Sequence, residues 1–507
     1  MSDTTPEPRG KSALDKDLKK IAKVEAAAQA QGQVMARIGL SVLFLVAVWI
    51  VTSMQSGSGF TPFVVAAAVI GGYMAMNIGA NDVANNVGPA VGSKALTLTG
   101  AILIAAIFET SGALLAGGDV VSTISKGIID KDLMPDPGTF MTAMMAALLA
   151  AALWLNLATF LGAPVSTTHS IVGGVMGAGI AATGFGAVNW PTMSKIAASW
   201  VISPLLGGVI AALFLFMIKA NVLYKDDKVA AAKKWVPILV AIMAAAFSMY
   251  LMSKGLKKIY KASWLETISA GILVCGLTWT FMRSSIAAKA EHMENKRKSV
   301  NQLFVVPLIF SAALLSFAHG ANDVANAVGP LAAIVSVADS GEIVSKAAIP
   351  LWVMLVGGLG ISIGLVLFGS RLIKTVGQEI TKLNPVRAFC VALSAAITVI
   401  IASALGLPVS STHIAVGGVF GVGFLREYLE LRKYKQAATC APANTTTAPT
   451  TSNPTDPEKA VTKARQRRLV RRNHAWSIAA AWVITVPLAA LLAAGLFHVL
   501  MTLNVTA

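Results

Sequence analysis

Two acidic motifs of nearly the same sequence interrupt otherwise apolar stretches. Residues 79–89 read Gly-Ala-Asn-Asp-Val-Ala-Asn-Asn-Val-Gly-Pro and residues 320–330 read Gly-Ala-Asn-Asp-Val-Ala-Asn-Ala-Val-Gly-Pro, so ten of eleven positions match. In each copy an aspartate and an asparagine stand three residues apart, on one face of a helix. The first copy holds Asn81, Asp82 and Asn85, and the second holds Asn322, Asp323 and Asn326. Carboxylate and amide oxygens are hard ligands, which suit Na⁺ or a carried proton.

A second pair of motifs combines proline, hydroxyl side chains and a following glycine-rich segment. Residues 164–169 read Pro-Val-Ser-Thr-Thr-His and residues 408–413 read Pro-Val-Ser-Ser-Thr-His. Proline followed by hydroxyls is typical of a helix start, and the free N–H groups of such a start bind tetrahedral oxyanions. Ordinary capping would explain one copy, but duplication beside the acidic motifs favours an anion site. The predicted donors are Ser166, Thr167, Thr168, Ser410, Ser411 and Thr412.

Four other titratable side chains lie in or beside the apolar stretches. Glu109 is a functional candidate because a carboxylate inside a membrane span is costly, although the second copy has no evident acidic counterpart. We interpret His169 and His413 as structural histidines, with proton shuttling as the alternative. His319 aligns with Ile78 of the first copy, and we interpret it as structural too.

The apolar stretches themselves indicate an all-α polytopic membrane protein. Of the 507 residues, 55% are hydrophobic and only 13% charged, against about 25% charged in a soluble domain. A bilayer core needs about 20 apolar residues per helix. The sequence predicts 12–13 transmembrane segments, at about 38–54, 62–80, 97–118, 139–162, 164–184, 192–220, 235–253, 264–282, 303–323, 347–369, 386–405, 408–425 and 476–501.

Charge predicts how these segments are oriented. The net charge of +17 comes mostly from Lys and Arg in loops, which sets topology and argues against nucleic acid as a partner. With the N-terminus in the cytoplasm, the loops near 221–234, 284–300, 370–385 and 426–475 all fall inside. Four lysines between Lys254 and Lys261 fall outside and violate the rule. The three cysteines share no metal-like spacing.

The order of motifs predicts two transport repeats. The offsets are 320 − 79 = 241 and 408 − 164 = 244, and a weaker Trp-Val-Ile pair begins at Trp200 and Trp482. Seven predicted spans separate the two starts, and an odd number inverts the second copy, so we predict inverted repeats with discontinuous or re-entrant helices. The predicted organisation is a tail (1–37), an additional helix (38–54), a first repeat (62–220), connecting helices (221–302), a second repeat (303–425), a polar loop (426–475) and a last helix (476–501).

The paired Gly-Ala-Asn-Asp-Val-Ala-Asn and Pro-Val-Ser-[Ser/Thr]-Thr-His motifs resemble the signature of inorganic phosphate transporters of the PiT family. The resemblance covers about Pro62 to Leu425 and resumes at about Trp476. It implies an inverted-repeat helical fold, phosphate bound between the copies, and Na⁺ or H⁺ as the coupling ion, with no cofactor. It also implies an anion site at Asp82, Asn85, Ser166, Thr167, Thr168, Asp323, Asn326, Ser410, Ser411 and Thr412. We expect cation ligands at Asn81, Asp82, Asn322, Asp323 and Glu109.

The sequence thus predicts a secondary transporter of inorganic phosphate in a plasma membrane of bacterial inner-membrane type. A sulfate or metal–phosphate permease of the same family is the alternative, and a phosphate sensor or an ion channel is the alternative of another class. An enzyme is disfavoured, because contiguous Ser-Thr-Thr-His is poor geometry for a catalytic triad. A homodimer is compatible with the small-residue face formed by Gly357, Gly358, Gly360 and Gly364.

Overall fold

The computed structural model describes residues 13–55, 62–161, 165–257, 260–343, 349–370, 372–374, 383–439 and 472–503. These residues are helical with short connections and contain no β-strand, only an isolated bridge between Ile129 and Val188. The helices are α1 (Ala13–Met54), α2 (Pro62–Asn81), α3 (Ala84–Gly92), α4 (Leu98–Ala116), α5 (Gly118–Lys126), α6 (Pro137–Leu161), α7 (Thr167–Thr183), α8 (Trp190–Ile218), α9 (Lys228–Tyr250), α10 (Trp264–Ala290), α11 (Arg297–Leu303), α12 (Val305–Ser340), α13 (Leu351–Phe368), α14 (Pro385–Ala404), α15 (Ser411–Thr439) and α16 (Arg472–Thr502).

Eleven helices among the described residues are long and apolar enough to cross a membrane. Two of the thirteen predicted spans, 164–184 and 408–425, are not among them. They correspond to α7, which has only 17 residues, and to α15, which continues into a charged segment that lowers its hydropathy. Both helices are instead the second arms of hairpins.

The N-terminal segment differs from the prediction of a polar tail followed by a short span. Helix α1 begins at Ala13 and runs without interruption to Met54. Its membrane-spanning portion begins near Gln31, and only 6% of that portion is buried within the chain. An apolar helix that is so little covered by protein faces lipid, as expected for an element outside the transport repeats. Residues 1–12 of the predicted tail and 440–471 of the predicted polar loop lie outside the described residues.

Helices α6 and α7 form one hairpin, and α14 and α15 form another. The two tips meet: the Thr168 hydroxyl of the first hairpin donates to the carbonyl oxygen of Val409 in the second, at 3.0 Å. The two open ends of each hairpin also lie together. Just beyond α7, the Ala187 carbonyl oxygen accepts a 2.7 Å hydrogen bond from the backbone N–H of Asp130, which precedes α6. In the second hairpin, Arg387 and Arg426 line one pocket. Each hairpin therefore enters and leaves at one end of the bundle and stops at its centre.

The repeats interlock through matched close contacts. A Cβ added at Gly79 would collide with the carbonyl oxygen of Ile361, and one added at Gly320 would collide with the carbonyl oxygen of Glu109. The first contact joins α2 to α13 and the second joins α12 to α4. Each repeat thus packs its first helix on the second helix of the other repeat, the reciprocal pattern expected of two related copies.

Each hairpin also packs against the last helix of the other repeat. A Cβ at Gly173 would lie 2.7 Å from the Val486 carbonyl oxygen, and one at Gly417 would collide with that of Pro204. Helix α7 is therefore held by α16, and α15 by α8. Helices associate in membranes through tight backbone contact of this kind. Apolar side chains alone give little driving force there, because lipid is as apolar as another helix.

The acidic motifs lie inside spans, whereas the spans predicted at 62–80 and 303–323 end at or within them. Apolar helix continues past them, to Gly92 in the first copy and to Ser340 in the second. The Gly-Pro pairs also do not break the helices, because Pro89 and Pro330 both lie within continuous helix. The only interruption in these two spans is a turn at Asp82–Val83, between α2 and α3.

The glycine face proposed for a homodimer is used within the chain. Added Cβ atoms at Gly360 and Gly364 would meet α2, and one at Gly357 would meet Val328 of α12. This face is therefore not available to a second copy of the chain, since it already packs against other helices of the same protein.

An ion pair explains the loop that violated the positive-inside rule. The Lys254 ammonium lies 2.8 Å from the Asp119 carboxylate and donates at 2.9 Å to the carbonyl oxygen of Ala404, the last residue of α14. Asp119 follows the span predicted at 97–118, and with the N-terminus in the cytoplasm this segment is also predicted to lie outside. The ion pair is a local reason for a lysine on the side where lysines are statistically disfavoured.

Candidate functional site

The two aspartates meet at the centre of the bundle. Asp82 and Asp323 are 1% and 0% exposed, and both touch the hydroxyl of Thr167, the first residue of α7. The Thr167 oxygen lies 2.6 Å from Asp82 Oδ2 and 3.0 Å from Asp323 Oδ2. The hydroxyl has one proton to donate, so two carboxylate oxygens compete for it. Such an arrangement is stabilised by a shared proton or a cation.

The helix starts predicted from the hydroxyl motifs are present at this point. Ser166 is the N-cap of α7, and its hydroxyl accepts from the His169 backbone N–H at 3.2 Å. In the second hairpin, Ser410 accepts from the His413 N–H at 3.4 Å. Two helix N-termini therefore face the buried carboxylates, one from each repeat, and each brings partial positive charge and hydroxyl donors.

The asparagines and threonines pair crosswise between the repeats. Asn85 donates to the Thr412 hydroxyl at 2.8 Å, and Asn326 donates to the Thr168 hydroxyl at 3.2 Å. Since Asn85 corresponds to Asn326 and Thr168 to Thr412, the same contact is made twice with the repeats exchanged. Thr412 also donates to Asp82 Oδ1 at 3.0 Å, which completes a ring of polar contacts between the tips and the acidic motifs.

Asn81 and Asn322 hold the hairpins, although the sequence suggested them as cation ligands. Asn81 Nδ2 donates to Thr159 near the end of α6, at 3.0 Å. Asn322 Nδ2 donates to Ser403 near the end of α14, also at 3.0 Å, and its Oδ1 accepts from the Val409 N–H at 3.2 Å. These equivalent contacts fix each tip relative to its acidic motif.

Glu109 and His319 form a fully buried pair beside Asp323. His319 Nδ1 lies 2.7 Å from Glu109 Oε2, and its Nε2 lies 3.3 Å from Asp323 Oδ2. Asn86 donates to Glu109 Oε1 at 2.8 Å. His319 is therefore part of the site, which the sequence reasoning missed because its counterpart is an isoleucine. Its spacing of four residues from Asp323, one helical turn, was the available signal.

Asn86, Glu109 and His319 occupy positions that are apolar in the other repeat. Asn86 is the one mismatch in the acidic motif and corresponds to Ala327, while His319 corresponds to Ile78. The paired contacts Gly79–Ile361 and Gly320–Glu109 make Ile361 the counterpart of Glu109. A connected polar network in one half of the molecule thus replaces apolar side chains in the other half.

His169 and His413 pack against each other at the hairpin tips. Their ring centroids lie 4.6 Å apart, and the His169 ring lies 3.8 Å from that of Trp200. His169 Nδ1 also lies 2.6 Å from the Ser166 hydroxyl. Both rings line an otherwise largely apolar cavity of about 1160 Å³ between α8, α15 and α16. Their interpretation as structural histidines stays a prediction.

Several buried oxygens of the site have no hydrogen-bond partner among the described residues. They are Asp323 Oδ1, Asn326 Oδ1, Asn86 Oδ1 and Ser411 Oγ. Leaving such a group unsatisfied costs about 1–3 kcal/mol, so their concentration here indicates a site for polar ligands. One ligand atom from each of Asp82, His319 and Asp323 lies within 4.8 Å of the other two.

Fold and site together define a class of protein. Spanning helices surround two hairpins whose second helices, α7 and α15, begin at the buried carboxylates, the arrangement of a secondary transporter with its site near the membrane midplane. Residues 78–493 match the model of the phosphate transporter family. The chain belongs to this family; it is a multi-pass membrane protein and a transporter, not an enzyme.

Individual relatives agree with this assignment. The chain is 53% identical over 428 residues to a Helicobacter pylori protein named "Putative phosphate permease", covering 83% of this chain and 80% of that protein. A similarly named protein of Thermococcus kodakarensis is 36% identical over 442 residues, covering 87% and 98% of the two chains. A solved structure titled "The sodium-dependent phosphate transporter" superposes with a TM-score of 0.74 at 35% identity, over 87% of this chain and 100% of that one.

Proposed function

We propose that this protein is a symporter that carries inorganic phosphate together with Na⁺ by alternating access, with H⁺ as the alternative coupling ion. One observation carries the proposal: two buried aspartates share the hydroxyl at the start of α7, where the N-termini of α7 and α15 meet. The name of the solved relative supports Na⁺, as do the hard oxygen ligands.

The anion half of the site consists of neutral donors. The hydroxyls of Ser166, Thr167, Thr168, Ser410, Ser411 and Thr412 surround two helix N-termini and are buried. Partial charges and hydroxyls bind a tetrahedral oxyanion without a fixed full positive charge. Release therefore costs less than it would from a lysine or arginine in the same place, which a transport cycle requires.

The cation half consists of the carboxylates. Phosphate beside Asp82 and Asp323 would be repelled, and a cation bound to their oxygens offsets that repulsion. The affinity for the anion then depends on cation occupancy, and the coupling is reciprocal. Glu109 acts through His319, which it orients towards Asp323.

Access alternates when the hairpins move relative to the helices around them. The open end of the first hairpin lies by residues 128–134, and the open end of the second lies by Arg387 and Arg426. The predicted topology puts these two open ends on opposite sides of the membrane. Rocking of one repeat against the other would uncover the tips from one side at a time.

The test is uptake of radiolabelled phosphate into proteoliposomes, with an inward Na⁺ gradient and, separately, an inward H⁺ gradient. We expect saturable uptake driven by Na⁺ and suppressed by excess unlabelled phosphate more than by sulfate. Uptake driven only by H⁺ would show that H⁺ is the coupling ion. Stronger suppression by sulfate than by phosphate would show that sulfate is the preferred substrate. Non-saturating flux would indicate a channel, uptake only with divalent metal a metal–phosphate permease, and saturable binding without uptake a sensor.

A further inference from the structure

A second charged pocket lies far from the transport site, at the open end of the α14–α15 hairpin. It has a volume of about 160 Å³ and is lined by Lys219, Arg297, Arg387 and Arg426, with Glu430 as the single carboxylate among the described residues that line it. We refer to these five residues as the basic pocket. Lys219 follows α8, Arg297 begins α11, Arg387 lies in the first turn of α14, and Arg426 lies on α15.

Positive charge in the basic pocket exceeds negative charge. Among the described lining residues, four cations and one carboxylate leave 4 − 1 = 3 positive charges in excess, and counting Glu427, the neighbour of Arg426, still leaves two. Lys219, Arg387 and Arg426 are partly buried, so their mutual repulsion is less screened than at an open surface. Four separate chain segments bring these cations together, and an anion between them would offset the repulsion.

We propose that the basic pocket binds the phosphate group of an anion. Guanidinium groups match phosphate oxygens in pairs, and three of the four cations are arginines. Asn384, the N-cap of α14, and Asn301 also line the pocket and add neutral hydrogen-bonding groups. A drug-sized ligand needs about 300–1,000 Å³, so the pocket accommodates a single phosphate group and not a whole nucleotide.

The basic pocket lies where a bound anion would affect the movement of the second hairpin. Arg387 and Arg426 belong to the two arms of the second hairpin, whose tip carries Ser410 and Thr412. Lys219 and Arg297 belong to the surrounding helices. A bound phosphate group would tie the open end of the hairpin to those helices and restrain its movement.

The four segments border loops that charge predicts to be cytoplasmic. The same phosphate chemistry is available there from two sources, the headgroup of an anionic lipid in the inner leaflet and free inorganic phosphate. Binding of a phosphate group in the basic pocket does not depend on which ion drives transport.

Melting temperatures of the purified full-length protein test the proposal. The pocket variant is Arg297→Gln/Arg426→Gln. The control is Arg283→Gln/Lys289→Gln, which removes the same charge from exposed positions of α10, where Arg283 stacks on Trp279. Each protein is titrated in zwitterionic detergent with phosphatidylglycerol in one arm and with inorganic phosphate in the other, against phosphatidylcholine and chloride.

We expect wild type and control to be stabilised equally, and the pocket variant to need at least about tenfold more of one probe. Tenfold corresponds to about 1.4 kcal/mol, close to the lower end of the range for a hydrogen bond to a charged group. Phosphate at the transport site contributes alike in all three proteins, so only the difference between them reports on the pocket.

The arm that shows the difference identifies the source. If neither phosphatidylglycerol nor phosphate separates the pocket variant from the control, the proposal is wrong. Should the double variant not fold, Arg426→Lys keeps the charge but loses the paired donors, and an unchanged response of that variant to both probes would equally overturn the proposal.

Discussion

At the scale of single residues, the site depends on carboxylates that are placed where charge is costly. Asp82 and Asp323 are fully buried and compete for one hydroxyl proton. In the proposed mechanism, their cost is tolerated because a cation or proton satisfies them during transport. That mechanism uses the negative charge of these side chains and not their shape.

The substitutions Asp82→Asn and Asp323→Asn test this reading. Each keeps the side-chain shape but removes one charge-assisted contact, worth about 1.5–3 kcal/mol, so we expect phosphate uptake to fall at least about tenfold and its cation dependence to weaken. Asp132→Asn, at an exposed carboxylate, is the matched control. Cation-driven uptake that survived in both single variants would contradict the proposed coupling.

The polar network of one repeat yields a second prediction at this scale. Either Glu109→Ile or His319→Ile alone leaves the other side chain of the pair buried without its partner, which costs about 3–5 kcal/mol of stability. The double variant resembles the other repeat, where Ile78 and Ile361 occupy these positions in the buried core. We expect it to be destabilised by clearly less than the sum of the single variants, as measured by denaturant unfolding in detergent micelles. Additive losses would show that the two side chains are not coupled.

At the scale of elements, backbone contact between helices positions the site. Gly320 places α12 directly on the Glu109 carbonyl of α4, so the close approach brings His319 and Glu109 together. Because Gly320 has no side chain, α12 approaches α4 closely enough for the polar network to form.

Gly320→Ala is expected to separate α12 from α4. Overpacking of this kind costs about 1–3 kcal/mol, so the melting temperature and the uptake should both fall. Gly276→Ala on α10 has nothing within 4 Å of the added Cβ and is the control. There the exchange should be neutral or slightly stabilising, because alanine favours helix. Equal behaviour of the two variants would argue against the close packing.

At the scale of the whole molecule, contacts between distant loops agree with the orientation predicted from charge. Lys254 and Asp119, both expected outside, form an ion pair. Asn295 accepts from the Lys228 N–H at 2.8 Å and donates to the Asp226 carbonyl at 2.7 Å, which joins two loops expected inside. Loops assigned to the same side therefore meet.

Cysteine labelling checks the orientation itself. In a background without the native cysteines, Asp132→Cys should react with an impermeant maleimide in intact cells. Glu294→Cys should react only after permeabilisation. The two side chains are similarly exposed, at 81% and 72%, so accessibility within the protein does not explain a difference. The reverse pattern would place the N-terminus of the chain outside.

The sequence alone determined the class of the fold, the repeat and most of the site. Apolar length predicts spanning helices because lipid forces every backbone group to be satisfied within its own helix. The duplicated motifs identified Asp82, Asp323, Asn85, Asn326 and the hairpin hydroxyls. All of these meet in the structure, since the same local sequence makes the same turn or helix start in each repeat.

Only the tertiary structure decided which residues beyond the motifs belong to the site. His319 and Glu109 are far apart in the chain, and their pairing depends on how closely α12 approaches α4 at Gly320. The roles of Asn81 and Asn322 as hairpin anchors likewise depend on where Thr159 and Ser403 lie. Local patterns specify helices and caps, but contacts between helices follow from packing of the whole bundle, which neither hydropathy nor motif spacing encodes.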